Sequence, residues 1–147
     1  MQSAGDEFTI STDKTRLNIA LIHEYLSQRS YWARGRTLEV VQKSIEQSLC
    51  FGLYRGDEQI GFARVVTDGA TFAWLCDVFI FETARGRGLG KRLVRAVVEY
   101  PELQGLPRFL LATKDAHELY RRTGGFTNLQ RPERWMERFT SDDTIAP

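Results

Sequence analysis

The chain has 147 residues and a formal net charge of +1, with 42% hydrophobic and 27% charged residues. This is the make-up of one ordinary globular domain, and a chain of this size buries roughly 68–70% of the surface its unfolded form exposes, so its core needs no covalent staples. The near-neutral balance excludes a global field for nucleic acid or an anionic membrane, so any positive patch must be local.

In chain order, "EFTIST" reads as a short strand. A helix is expected from Asp13, with Leu17, Leu21, Ile22, Tyr25 and Leu26 on one face, broken by "SQRSYWARGR". A second helix is expected near Thr37, a good cap, with Leu38, Val41, Ile45 and Leu49 facing inward. From Cys50 the pattern changes to apolar runs separated by the turn signals "RGDE" and "TDGA", which predicts an antiparallel meander of three strands. Leu89, Leu93, Ala96, Val97 and Tyr100 then follow a helical stripe ended by Pro101. "RFLLAT" reads as an apolar strand. "DAHELY" carries Asp115 and Glu118 at capping-box spacing, "GGF" ends that helix, and "RWMERF" is expected as a last strand. The order β-α-α-β-β-β-α-β-α-β predicts an α/β (α+β) fold, a mixed sheet with helices on its faces. There are no internal repeats; the first few residues and "TSDDTIAP" read as loose ends around a single domain with its core at residues 8–139.

The stretch "ARGRGLGKRL" concentrates backbone freedom and positive charge at a helix mouth. Gly86, Gly88 and Gly90 allow left-handed backbone and close approach, so that consecutive amides can point inward as an anion nest. The helix behind adds its unpaired amides and positive dipole end, and Arg85, Arg87, Lys91 and Arg92 surround the same spot. Every feature fits a pyrophosphate. The better-known phosphate motifs do not fit, because Arg92 follows Lys91 where a Walker A loop has Ser or Thr, and Lys91 replaces the third glycine of a dinucleotide fingerprint.

"Arg85-Gly86-Arg87-Gly88-Leu89-Gly90" matches [RQ]-x-x-G-x-[GA], and with "AHELYRRTGGF" further on the chain resembles the GCN5-related N-acetyltransferase (GNAT) superfamily. The resemblance implies the acyl-CoA N-acyltransferase fold, with a mostly antiparallel sheet, and acetyl-CoA as co-substrate. It implies that the pyrophosphate lies on the loop amides of Arg85, Gly86, Arg87, Gly88, Leu89, Gly90 and Lys91. The pantetheine arm would run along Val78, Phe79 and Ile80, whose backbone a splayed neighbouring strand would leave unpaired. It maps the family's general-acid tyrosine onto Tyr120, a phenol whose ordinary pKa of about 10 suits protonation of a thiolate. Two departures stand out: "TGGF" has one glycine more than the family's pattern, and Thr113 and Lys114 stand where an asparagine is often found.

Asp77 is the only charge in "FAWLCDVFI". A buried carboxylate must be paired or shifted, and the two readings are a structural group bonded to an arginine such as Arg64, or a catalytic base and amine anchor. Spermidine/spermine acetyltransferases of the superfamily carry acidic residues on the matching strand, which suggests the second. Tyr31 and Trp32 in "RSYWARGR" are expected to bind the acceptor as an aromatic wall, and Arg34 and Arg36 offer an alternative fit to an acidic acceptor.

The expected activity is transfer of acetyl from acetyl-CoA to a primary amine of a small molecule by direct attack in a ternary complex. The alternatives are a CoA-binding sensor without turnover, a protein-lysine acetyltransferase, and a covalent route through Cys76 assisted by His23 or His117. The other cysteine, Cys50, forms no CxxC pattern with it, so neither a metal site nor a disulfide is expected. No nucleic-acid partner, no membrane partner, a cytoplasmic location, and a monomer or homodimer complete the expectation.

Overall fold

The computed structural model describes residues 7–141. The loose ends expected at the start of the chain and in "TSDDTIAP" fall, apart from Thr140 and Ser141, outside them.

The elements are β1 (Phe8–Ser11), α1 (Ile19–Arg29), α2 (Leu38–Glu46), β2 (Leu49–Arg55), β3 (Glu58–Thr67), β4 (Phe72–Ile80), α3 (Leu89–Val98), β5 (Arg108–Leu111) and α4 (His117–Gly124). The sheet runs β1-β2-β3-β4-β5, antiparallel throughout except for the parallel pair β4–β5. A mixed, mostly antiparallel sheet flanked by helices is the fold the sequence implied.

Local chemistry sets the boundaries. Asp13 caps only a short 3-10 turn, accepting from the Thr15 amide at 3.0 Å. α1 starts later, at Asn18, whose side chain accepts from the Leu21 amide at 3.1 Å. The Asn18 amide is held by Gln59 Oε1 at 2.7 Å, which fixes Asn18 as the extended residue a cap must be. Thr37 caps α2 as expected, but Leu38 is exposed and Leu49 opens β2 instead of extending the helix.

Register then assigns the faces. Cys50, Arg64 and Cys76 stand opposite one another across β2, β3 and β4, on the face where Cys50 Sγ meets the Ile45 carbonyl at the end of α2. Phe51 points to the other face, where its ring meets Tyr100 beyond α3. Tyr25 of α1 stacks on Phe79 at 4.0 Å between centroids, which docks that helix onto the sheet next to the loop.

Strand β4 carries two irregularities. Phe62 pairs with Phe79 and Arg64 with Cys76, so Asp77 and Val78 together oppose Ala63 in a bulge. Asp77 is the one non-glycine with positive φ among the described residues, at 53°. The β4–β5 pairing also ends at Leu75–Leu111, so residues 76–80 run on without a strand on that side. The parting of the two strands opens the sheet.

The expected last strand does not form. After a 3-10 turn at Pro132–Arg134 the chain runs through 135–141 without a ladder, with Met136 96% exposed. Its alternation is used differently, since Glu137, Phe139 and Ser141 line a cavity.

β3 and β4 approach closely at Gly61, where a methyl group would stand 2.9 Å from Ile80 Cδ1 and 3.1 Å from the Phe79 carbonyl oxygen. Gly61→Ala should therefore destabilise the fold by about 1–3 kcal/mol through overpacking. Urea unfolding checks this, with a lowered midpoint expected at unchanged m.

Candidate functional site

The loop after β4 is bent back by Arg85. Its Nε donates to the Ile80 carbonyl at 3.0 Å, and its guanidinium to the Tyr25 hydroxyl at 2.7 Å. The first residue of the motif thus ties loop, strand and α1 together. Gly86 and Gly88 take φ of 84° and 72°, values that a side chain would strain. Gly90 does not, so the expectation of left-handed freedom at all three glycines is corrected to two. A Cβ on Gly90 would meet nothing within 4 Å. The fold has no need of a glycine there. Gly88 caps α3 without a side-chain bond, so the first amides of that helix keep the anion-binding potential of an uncapped terminus. Arg87 and Lys91 flank them, both exposed.

A cavity of about 350 Å³ lies where β4 and β5 part, between Val78, Phe79 and Ile80, the loop glycines and Tyr120. A second, of about 550 Å³, opens on the far side of Tyr120 and reaches Tyr31, Asp77 and Arg64. Trp32, Val78, Ala116 and Tyr120 border both. The expected pantetheine and acceptor residues thus fall in adjoining cavities, with Tyr120 at the junction. Arg34 is exposed and borders neither.

Tyr120 is the buried residue of α4, at 8% exposure. Burial, with a smaller contribution from Tyr31, pushes its phenol up to about 12. It is therefore a protonated donor at any working pH. The start of α4 corrects the capping-box expectation, because Ala116 is the cap residue and its amide bonds Thr113 Oγ1 at 3.1 Å, with Asp115 uninvolved. Both glycines of "TGGF" have a cause. A Cβ on Gly124 would stand 2.8 Å from the Phe126 ring, and Gly125 takes the left-handed position that ends the helix.

Asp77 is 4% exposed and fully engaged. Oδ1 accepts from Trp32 Nε1, and Oδ2 from Arg36 Nη1 and Arg64 Nε, each at 2.8 Å. Burial alone would raise the carboxyl's pKa, but the guanidiniums of Arg64 and Arg36 outweigh it and hold the group below its ordinary value. A carboxylate in that condition is a poor proton acceptor. The geometry follows the structural reading weighed for Asp77, and it is at odds with a base or a direct amine anchor. Cys76 borders the larger cavity, but burial pushes its thiol up to about 12, far from a reactive thiolate.

Sequence reasoning missed the C-terminal wall of Glu137, Phe139 and Ser141. The i, i+2, i+4 spacing was the available signal, since it places all three on one side of an extended chain. Among the described residues no group of His, Cys, Asp and Glu could hold a metal ion, and no helix is long and apolar enough to cross a membrane.

Comparison with known proteins agrees with this fold. The model of the acetyltransferase (GNAT) family matches residues 19–126. A candidate acetyltransferase of that family from Xanthomonas campestris pv. campestris, whose crystal structure is known, is 50% identical. It superposes with a TM-score of 0.89 over 92% of this chain and 94% of its own. A candidate acetyltransferase of Gibberella zeae is 31% identical over 136 residues, 78% of this chain and 76% of that protein. An uncharacterized N-acetyltransferase of Prochlorococcus marinus is 32% identical over 114 residues, covering 74% of this chain and 63% of that protein. The chain belongs to the GNAT family, whose members use acetyl-CoA as co-substrate.

Asp77→Asn would leave the buried guanidinium of Arg64 without its charge partner and take one from Arg36, a loss of about 3–5 kcal/mol. The folded pKa of Asp77 lies below its ordinary 3.8, so its stabilisation is complete above that value and fades as pH falls through the folded pKa. Urea unfolding of both proteins from about pH 5 downward should show the gap between them narrowing.

Proposed function

We propose that this protein, acting as a single domain, moves the acetyl group of acetyl-CoA to a primary amine of a small molecule by direct attack in a ternary complex. The observation that carries the reading is the position of Tyr120, a buried neutral phenol bordering two cavities at once. In this reading the smaller cavity takes the donor. The amides of Gly86 to Lys91 hold the pyrophosphate, aided by Arg87 and Lys91, while the backbone of Val78, Phe79 and Ile80 bonds the pantetheine arm. The side chain of Arg85, already committed to Ile80 and Tyr25, shapes the loop. The larger cavity takes the amine between Tyr31 and Trp32.

Nitrogen attacks the thioester carbon, the carbonyl oxygen is polarised by β4 backbone near Val78–Phe79, and the C–S bond breaks as the C–N bond is completed. The departing sulfur takes a proton from the Tyr120 hydroxyl. A phenol at about 12 is a weak acid beside a thiol whose ordinary pKa is about 8.5. The hydroxyl therefore recovers a proton from the newly acylated nitrogen as it gives one up, and no tyrosinate accumulates. A group facing both cavities can do this. Asp77 acts in the same scheme as a positioning residue, fixing Trp32 and the two arginines.

Calorimetric titration with acetyl-CoA tests the donor half, and saturable binding is expected. Gly90→Ala should keep or slightly raise the melting temperature, since alanine is the better helix residue, while weakening binding about tenfold or more. Unchanged affinity would remove the loop from the reading. Tyr120→Phe should lower kcat by ~10²–10⁴-fold at nearly unchanged acetyl-CoA affinity. Full turnover by the phenylalanine variant, measured as thiol release, would exclude the proton transfer.

A further inference from the structure

The floor of the larger cavity holds a second recognition element, Arg64. Its side chain is nine-tenths buried, at 9% exposure. It donates from Nε to Asp77 at 2.8 Å and from Nη1 to Ser48 Oγ at 3.0 Å. Nη2 has no hydrogen-bond partner among the described residues, yet it is not sealed off with the fully buried orphan atoms, and the residue borders the cavity. A guanidinium N–H pair left open toward a cavity is a donor aimed at an acceptor from outside the protein.

Around this donor the walls are mostly apolar, with Trp32, Trp74, Leu111 and Phe139 among them. Two exposed carboxylates, Asp115 and Glu137, border the same cavity. The chemistry is therefore polarised. A buried cation with spare donors lies at one place, acidic groups stand at the rim, and aromatic surface lies between. A molecule matching all three carries an anion, an ammonium and an apolar frame.

We propose that the acceptor is a small amino acid with an apolar side chain, whose carboxylate is bonded by Arg64 while its amine is presented at Tyr120. The proposal rests on the acetyl-transfer reading and deepens it by naming the substrate class. A carboxylate suits the site better than a phosphate, because one open nitrogen answers a single acceptor group. A dianion would add repulsion from Asp115 and Glu137.

The test needs neither turnover nor acetyl-CoA. Trp32 and Trp74 border the cavity, so indole fluorescence reports its occupation. A panel of N-acetylated apolar amino acids, the would-be products, is titrated against the full chain beside the methyl ester of each. At least one free acid should bind about tenfold or more tightly than its ester. In Arg64→Gln that preference should vanish, and in Arg64→Lys it should shrink but persist, with circular dichroism confirming the fold. If Arg64→Gln does not fold, the wild-type acid-to-ester ratio and Arg64→Lys decide the matter. Equal binding of acids and esters across the panel, no binding by either, or a preference that survives Arg64→Gln overturns the proposal. Failure of acetyl-CoA to bind in the separate calorimetric titration overturns the donor reading, and the two failures are therefore distinguishable.

Discussion

The structure around the site depends on one buried charge. A carboxylate withdrawn from water is tolerated only where donors replace its hydration, and Asp77 draws them from two separate parts of the chain. Trp32 and Arg36 come from the loop between α1 and α2, and Arg64 comes from β3. The ion cluster thereby fastens that loop to the sheet, and the aromatic wall of the larger cavity stands where the fastening holds it. The same residue occupies the bulge in β4, at a backbone angle unusual for a side chain larger than glycine. Strain of this kind persists only where surrounding bonds over-determine it, and here three hydrogen bonds do so.

Labour is divided along the glycine loop in a similar way. Gly86 and Gly88 are needed to turn the chain, and Arg85 is needed to hold the turn against Tyr25 and Ile80. Gly90 alone has no structural task. In the proposed reading the motif is a superposition of two requirements, one from the fold and one from the ligand. What a side chain would touch at each position separates them.

Much of the fold was legible because it was written in local chemistry. The meander with its turn signals, the stripe of α3 and the left-handed end of α4 each depend on residues close in sequence. The turn of the loop was legible from its glycines, whereas Tyr120 was singled out by the family resemblance. What escaped depended on distant partners. The start of α1 moved from Asp13 to Asn18 because Gln59, from another strand, holds the Asn18 amide. Asp77 could be recognised as anomalous, and Arg64 suspected, but the participation of Trp32 and Arg36 is a matter of three-dimensional neighbours. The segment at 135–139 has strand-like alternation, and only its position beside a cavity shows that the alternation serves a wall.

That wall has a consequence for how such an enzyme can change. In the proposed reading, the donor cavity is built from sheet backbone, a glycine-turned loop and a buried phenol, most of which also shape the fold. The acceptor cavity borrows part of its lining from Glu137 and Phe139, exposed residues on a stretch outside any ladder. Substitutions at exposed positions of that kind alter stability little. The two halves of the site therefore differ in evolvability, with donor chemistry and the Arg64 contact fixed and the fit to the acceptor's apolar frame free to drift. A lineage could acquire a new acceptor by editing a few side chains near its terminus, without reopening the problem of folding.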